Sequence, residues 1–152
     1  MNRLPTGKKR KLTVLIGDHE LGANEVMLSC LARINKDGDE IVVVSTGKPE
    51  RLLEFARNQK FDLCILVLNN ILFQVIPWKA RRQYTLDLVV ELKRACLAPI
   101  IAFAGVTEDI LLPEDAERAG VNHFFWMPFS APDFMEAVKK CLFRKDGSAQ
   151  SA

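Results

Sequence analysis

At 152 residues the chain has the length of one domain, the usual range being roughly 100–200 residues. A hydrophobic share of 49% beside 26% charged residues supplies both a core and a solvated surface, which excludes a disordered chain. The net charge of +2, from 21 basic and 19 acidic residues, is too small an excess to argue for nucleic acid.

Residues 1–10 read as a flexible basic tail without the apolar core of a secretion signal. Lys8, Lys9 and Arg10, with Lys11, form a solvated cluster ahead of the first apolar run. Lys11 to Gly17 (KLTVLIG) is short, apolar and partly β-branched, which predicts a buried strand. From Leu21 to Asn35, Val26, Met27, Cys30, Leu31 and Ile34 recur at helical spacing, and Asp37-Gly38 supplies the stop. Glu40 to Ser45 (EIVVVS) is a second strand. Pro49 suits the first turn of a helix reaching about Lys60, with Leu52, Leu53, Phe55 and Ala56 toward a core. Asp62 to Leu68 (DLCILVL) is a third strand.

Ile71 to Lys79 (ILFQVIPWK) is apolar but broken by Pro77, and helical spacing resumes from Ala80 to Leu97 through Leu88, Val89, Leu92 and Cys96. Pro99 to Ala104 (PIIAFA) is a fourth strand. Thr107 is placed to cap a helix ending at Ala119, and Gly120 suits the left-handed position after it. Asn122 to Met127 (NHFFWM) is a fifth strand, followed by a Pro128-Phe129 turn and a last helix from Ala131 to Phe143 with Pro132 near its start. The domain thus spans 11–144, with a frayed tail at 145–152.

Cys30, Cys64, Cys96 and Cys141 lie far apart, each in an apolar run, and read as buried free thiols in a reducing compartment. No close Cys or His pair suggests zinc, and no run reaches the roughly 18 apolar residues of a membrane helix. Five apolar strands separated by helical patterns call for a doubly wound parallel sheet with helices on both faces. In such sheets ligands gather at the carboxyl ends of the strands. Attention therefore falls on Asp18 to Glu20, Val67 to Asn70, Ala104 to Gly105 and Met127 to Phe129.

Over Lys11 to Phe143 the chain resembles the receiver domains of bacterial response regulators, the CheY-like family. VLIGDHE (Val14 to Glu20) resembles the strand ending in the family's acidic pair, DLCILVL the aspartate-bearing strand, and APIIAFAG (Ala98 to Gly105) the strand ending in Thr or Ser. The most specific piece is AERAGVNHFFWMPFSAPDFMEAVKKCL (Ala116 to Leu142), which follows the Ala-Gly, aromatic strand, Lys-Pro-Phe and amphipathic helix pattern with Met in place of Lys. The resemblance implies a flavodoxin-like five-stranded sheet of order 2-1-3-4-5.

It also implies a degenerate site, a pseudo-receiver in two-component or phosphorelay terms. The Mg²⁺-holding acidic pair falls on Asp18 and His19, with Glu20 next; the phosphoacceptor falls on Val67, the hydroxyl on Ala104 and the lysine on Met127. Of the family's features there, a cis peptide before Pro128 is the one able to persist. Mg²⁺ needs oxygen ligands, and phosphoryl transfer needs metal, nucleophile and cation together. The expectation is therefore no catalytic residue, no metal and no cofactor.

HELGANEV (His19 to Val26) also resembles the His-x-x-Gly start of cobalamin-binding domains of the same architecture. Its Asp is one residue out of place, however, and the glycine pair of that family falls near Phe103 and Ala104. A small-molecule sensor with a ligand near Val67 is a third reading. Without chemistry, function passes to the surface formed in receivers by the fourth helix, fifth strand and fifth helix. That surface implies a protein partner or a homodimer, with neither nucleic acid nor membrane, in a bacterial cytoplasm. Phe124 takes the family's switch-aromatic position, expected to be fixed inward beside Ala104, while Trp126 and Phe129 are candidate anchors or core residues. Ile71 to Lys79 is expected to cover the emptied pocket or to form a patch. No output domain is expected after the last helix, and the output is expected to pass through another protein.

Overall fold

Five strands make one all-parallel sheet in the order β2-β1-β3-β4-β5: β1 (Lys11–Gly17), β2 (Glu40–Thr46), β3 (Leu63–Val67), β4 (Ile100–Gly105) and β5 (His123–Met127). Between and after them run α1 (Leu21–Asn35), α2 (Pro49–Asn58), α3 (Arg81–Ala95), α4 (Pro113–Ala119) and α5 (Ala131–Leu142). This computed structural model describes residues 11–18, 21–35, 40–68, 80–105 and 113–143. Both tails, His19, Glu20, the 71–79 segment and the cap at Thr107 lie outside the described residues.

Side-chain alternation divides the sheet between two layers. Leu15 of β1, Cys64 and Leu66 of β3, and Ile100 and Ala102 of β4 pack with Leu52 and Ala56 of α2, Leu88, Val89 and Leu92 of α3, and Ala116 of α4. Val14 and Ile16, Leu63, Ile65 and Val67, Ile101 and Phe103 face the other way. They meet Met27, Cys30, Leu31 and Ile34 of α1 and Phe134, Ala137 and Val138 of α5. Strands covered on both faces must be apolar at every position, and β3 is buried throughout. The doubly wound sheet with helices on both faces is thus the observed architecture.

Element ends differ from the sequence reading by one or two residues, with visible causes. Asp62 stays outside the β3 ladder because its carboxylate accepts the Thr13 amide at 2.8 Å, and its own amide donates to the Thr13 carbonyl at 2.8 Å. Asn122 precedes β5 in a similar clamp, its Oδ1 accepting from the Ile100 amide and its amide donating to the Ile100 carbonyl. α2 stops at Asn58 because Gln59 turns extended. Val26 and Leu28 are exposed, so α1 turns Met27, Cys30, Leu31 and Ile34 to the core instead. Leu53 and Phe55 are only partly buried. Of the four cysteines, Cys30, Cys64 and Cys96 are buried and in no disulfide, as expected, whereas Cys141 is half-buried.

Candidate functional site

The strand order reverses between β1 and β3, so the carboxyl ends of these strands border the crevice in which doubly wound sheets place ligands. Gly17 pairs with Thr46 on one side and Leu66 on the other, and the Asp18 amide donates to the Thr46 carbonyl at 3.0 Å. Those bonds hold Asp18 at the edge, where it is buried. Val67 pairs with Phe103, Ala104 with Trp126, and Gly105 with Met127. The register therefore brings Asp18, Val67, Ala104 and Met127 to the same edge of the sheet. Val67 and Ala104 are fully buried, and Met127 is half-buried against the same cluster as Val67. The peptide between Met127 and Pro128 is cis.

Among these four positions only Asp18 carries a side-chain oxygen. Val67 offers no nucleophile, Ala104 no hydroxyl and Met127 no cation. Among the described residues no group of three or more His, Cys, Asp or Glu side chains is placed to hold a metal ion. His19 and Glu20, the remaining candidates beside Asp18, lie outside the described residues.

Next to this edge stands an aromatic cluster that the sequence reading did not assemble. Phe103 is fully buried and stacks on Phe125 (5.4 Å, 21°), while Phe129 (4.9 Å) and Phe134 (5.5 Å) meet it at steep angles. Phe129 also meets Phe134 at 5.4 Å, so its ring belongs to this packing. Offset and edge-on geometries of this kind are favoured by the ring quadrupoles. On the opposite face of β5, Phe124 is half-buried against the α2–α4 layer and meets the edge of Trp126 at 5.1 Å and 76°. Trp126 is 38% exposed. Alternation along HFFWM signalled two faces, but not which rings from β4, the Pro128 turn and α5 would join them.

At the other end of the sheet a cleft of about 1000 Å³ opens near the starts of β4 and β5, lined by Arg33, Lys139 and Lys140 together with His123 and Glu136. Burial, with a smaller contribution from the Lys140 charge, pushes the His123 pKa below its ordinary value.

No protein-family model and no curated protein matches the chain. Solved structures do. The chain is similar to a response regulator from Thermotoga maritima, with 17% identity and a TM-score of 0.63 over 88% of this chain and 98% of that one. It is similar to the receiver domain of a sensor histidine kinase from Pseudomonas aeruginosa, which has a magnesium ion in its active-site cleft, with 14% identity and a TM-score of 0.59 over 88% and 98%. It is also similar to a putative pilus assembly protein from Burkholderia thailandensis, with 16% identity and a TM-score of 0.55 over 88% and 99%. At these identities the likeness establishes the fold, and that fold is the CheY-like receiver fold.

Proposed function

We propose that the chain is a receiver-fold signalling module that works by protein–protein contact, without aspartyl phosphorylation and without enzymatic activity of its own. The observation that carries this reading is the carboxyl edge of the sheet, where Val67 and Ala104 are fully buried and Met127 packs beside Val67. A receiver that switches by phosphoryl transfer needs a metal site, a nucleophile and a cation there. An edge with Val67, Ala104 and Met127 beside Asp18 removes the trigger but leaves the scaffold.

The contact surface we assign is β5 with the flanking α4 and α5. β5 ends the sheet, so one side of its backbone is not used by the ladder. Trp126 projects from it 38% exposed, a large rigid side chain of the type that dominates binding energies. Phe124 supports Trp126 from beneath, and Phe129, engaged with Phe103 and Phe134, holds the adjoining turn. The partner is a protein, a second copy of the chain being one form of it. A cytoplasmic setting accords with buried Cys30, Cys64 and Cys96 in no disulfide. No helix among the described residues is long and apolar enough to cross a membrane. The cobalamin-like and other small-molecule readings have less support, because Phe103 and its ring neighbours fill the sheet face that a ligand tail would need.

The test is incubation of the purified chain with Mg²⁺ and acetyl phosphate, read by intact mass, beside beryllofluoride titration read by melting temperature. No phosphoryl adduct and no shift are expected. An adduct sensitive to hydroxylamine overturns the reading. Capture of partners from the native extract, repeated with Trp126→Ala, examines the surface: bound protein is expected to be lost while the melting temperature holds.

A further inference from the structure

Cys64 and Cys96 belong to different elements and meet in the interior. Cys64 lies in β3 with 0% exposure, Cys96 ends α3 with 5%, and their sulfurs are 3.5 Å apart. Two backbone bonds fix this meeting: the Cys96 amide donates to the Leu92 carbonyl at 2.9 Å, and the Cys64 amide to the Pro99 carbonyl at 2.9 Å. The two thiols differ in their outlook. A cleft of about 660 Å³ between the end of α2 and the α3–β4 turn is lined by Cys96, with Arg57, Lys60, Phe61 and Ala98 around it, whereas Cys64 does not line it. Cys96 borders an opening, and the Cys64 sulfur lies 3.5 Å from its own sulfur without bordering that opening.

We propose that Cys96 and Cys64 form a peroxide-responsive pair, in which hydrogen peroxide entering this cleft oxidises Cys96 and Cys64 then closes an intramolecular disulfide. In the first step the Cys96 thiolate attacks one peroxide oxygen; an S–O bond forms, the O–O bond breaks, and hydroxide leaves, taking up a proton to become water. In the second the Cys64 sulfur attacks the sulfenic sulfur of Cys96; the S–S bond forms, the S–O bond breaks, and the Cys64 proton leaves with the hydroxide as a second water. In sum, two thiols and one peroxide give one disulfide and two waters.

The surroundings suit these roles. The contact with the Cys64 thiol, the amides of Ala98 and Phe61, and the Lys93 ammonium favour a thiolate at Cys96 and hold its pKa below the usual thiol range against the effect of burial. The same thiol–thiol contact and deeper burial push Cys64 up, which keeps its proton on until the second step. A disulfide needs its sulfurs about 2.05 Å apart, so the pair has about 1.5 Å to close. Closure would tie the end of α3 to the strand that carries Val67. This inference stands apart from the proposed function and survives its failure.

The experiment treats the reduced full chain with a few equivalents of hydrogen peroxide, quenches with catalase, then denatures, alkylates and maps peptides. The expected result is joint loss of alkylation at Cys64 and Cys96, a linked peptide pair, and full recovery of both after dithiothreitol, with Cys30 alkylated throughout. In Cys64→Ala a dimedone adduct is expected on Cys96; in Cys96→Ala no adduct is expected on Cys64. The half-buried Cys141 reports whether peroxide reached the protein. Full alkylation of Cys64 and Cys96 when Cys141 is already oxidised overturns the proposal, as does a linkage through Cys141 in place of the pair. Mapping the unmutated chain decides this even if a variant does not fold.

Discussion

Phe103 touches three other rings and has no exposed surface, so its removal leaves a hole that neighbours on β5, the Pro128 turn and α5 cannot all close at once. Phe103→Ala is expected to cost about 3–5 kcal/mol, the range for large-to-small changes in packed cores, read as a lower urea midpoint at unchanged slope. His123 makes a prediction of another kind. Its folded pKa lies below the unfolded value of about 6.5, so protonation opposes folding. The contribution to stability is therefore fully present above pH 6.5 and is lost as pH falls through the lower folded value. Lys140, Lys139 and Arg33 line the same cleft and add positive charge around a protonated ring, with Glu136 opposing them. Urea midpoints measured from pH 8 to pH 5 should fall on the acid side, and His123→Asn should flatten that fall. At this scale the sequence was informative where a residue type carries its own meaning, as Val67 does in having no nucleophilic atom. It was silent where meaning depends on distant neighbours: nothing in the run APIIAFAG says that its Phe will meet Phe129 and Phe134.

Each helix is set by a few end residues, and these were largely readable. Ser130 precedes α5 and its hydroxyl accepts from the Asp133 amide at 3.3 Å, a cap the sequence reading did not single out, while Pro132 stands in the first turn, where that reading placed it. Gly120 ends α4 with φ +116°, as its place after Ala119 implied. The structure adds a second constraint on that glycine. A Cβ there would stand 2.9 Å from Cγ of Lys93, whose ammonium reaches the Ala98 carbonyl at 3.2 Å. Gly120→Ala therefore combines an unfavourable backbone with displacement of the Lys93 chain, and should cost about 1–3 kcal/mol in thermal or urea unfolding. Lys93→Ala in the same background should return the steric part only, leaving the backbone part in place. Strand ends were less readable. Asp62 and Asn122 look like strand residues by position, but their side chains bond the backbone of the neighbouring strand and hold them just outside the ladder. The Cys64–Cys96 meeting was hidden for the same reason: both residues fit their apolar runs, and only the turn from α3 into β4 makes them neighbours.

For the molecule as a whole the question is what an edge formed by Val67, Ala104 and Met127 does to the sheet that bears it. Val67 lies in the most protected strand, between β1 and β4, under α1 and α5. Placing a carboxylate there returns the atom that phosphoryl transfer needs but neither the lysine nor the hydroxyl. Val67→Asp should therefore destabilise the chain by about 3–5 kcal/mol, the scale of an uncompensated buried charge. Adding Met127→Lys supplies a cation from the facing end of β5, so the double variant should recover about 1–3 kcal/mol relative to the sum of the single changes. A double-mutant cycle in urea, run with and without Mg²⁺, measures this. The expected result is positive coupling between the two sites, with Mg²⁺ adding stability only when the carboxylate is present beside Asp18. If Val67→Asp alone costs less than about 1 kcal/mol, the edge must already be wet and polar. Its apolar burial would then no longer support the proposal of a module that acts without phosphorylation, and a ligand bound at that edge would become the better proposal.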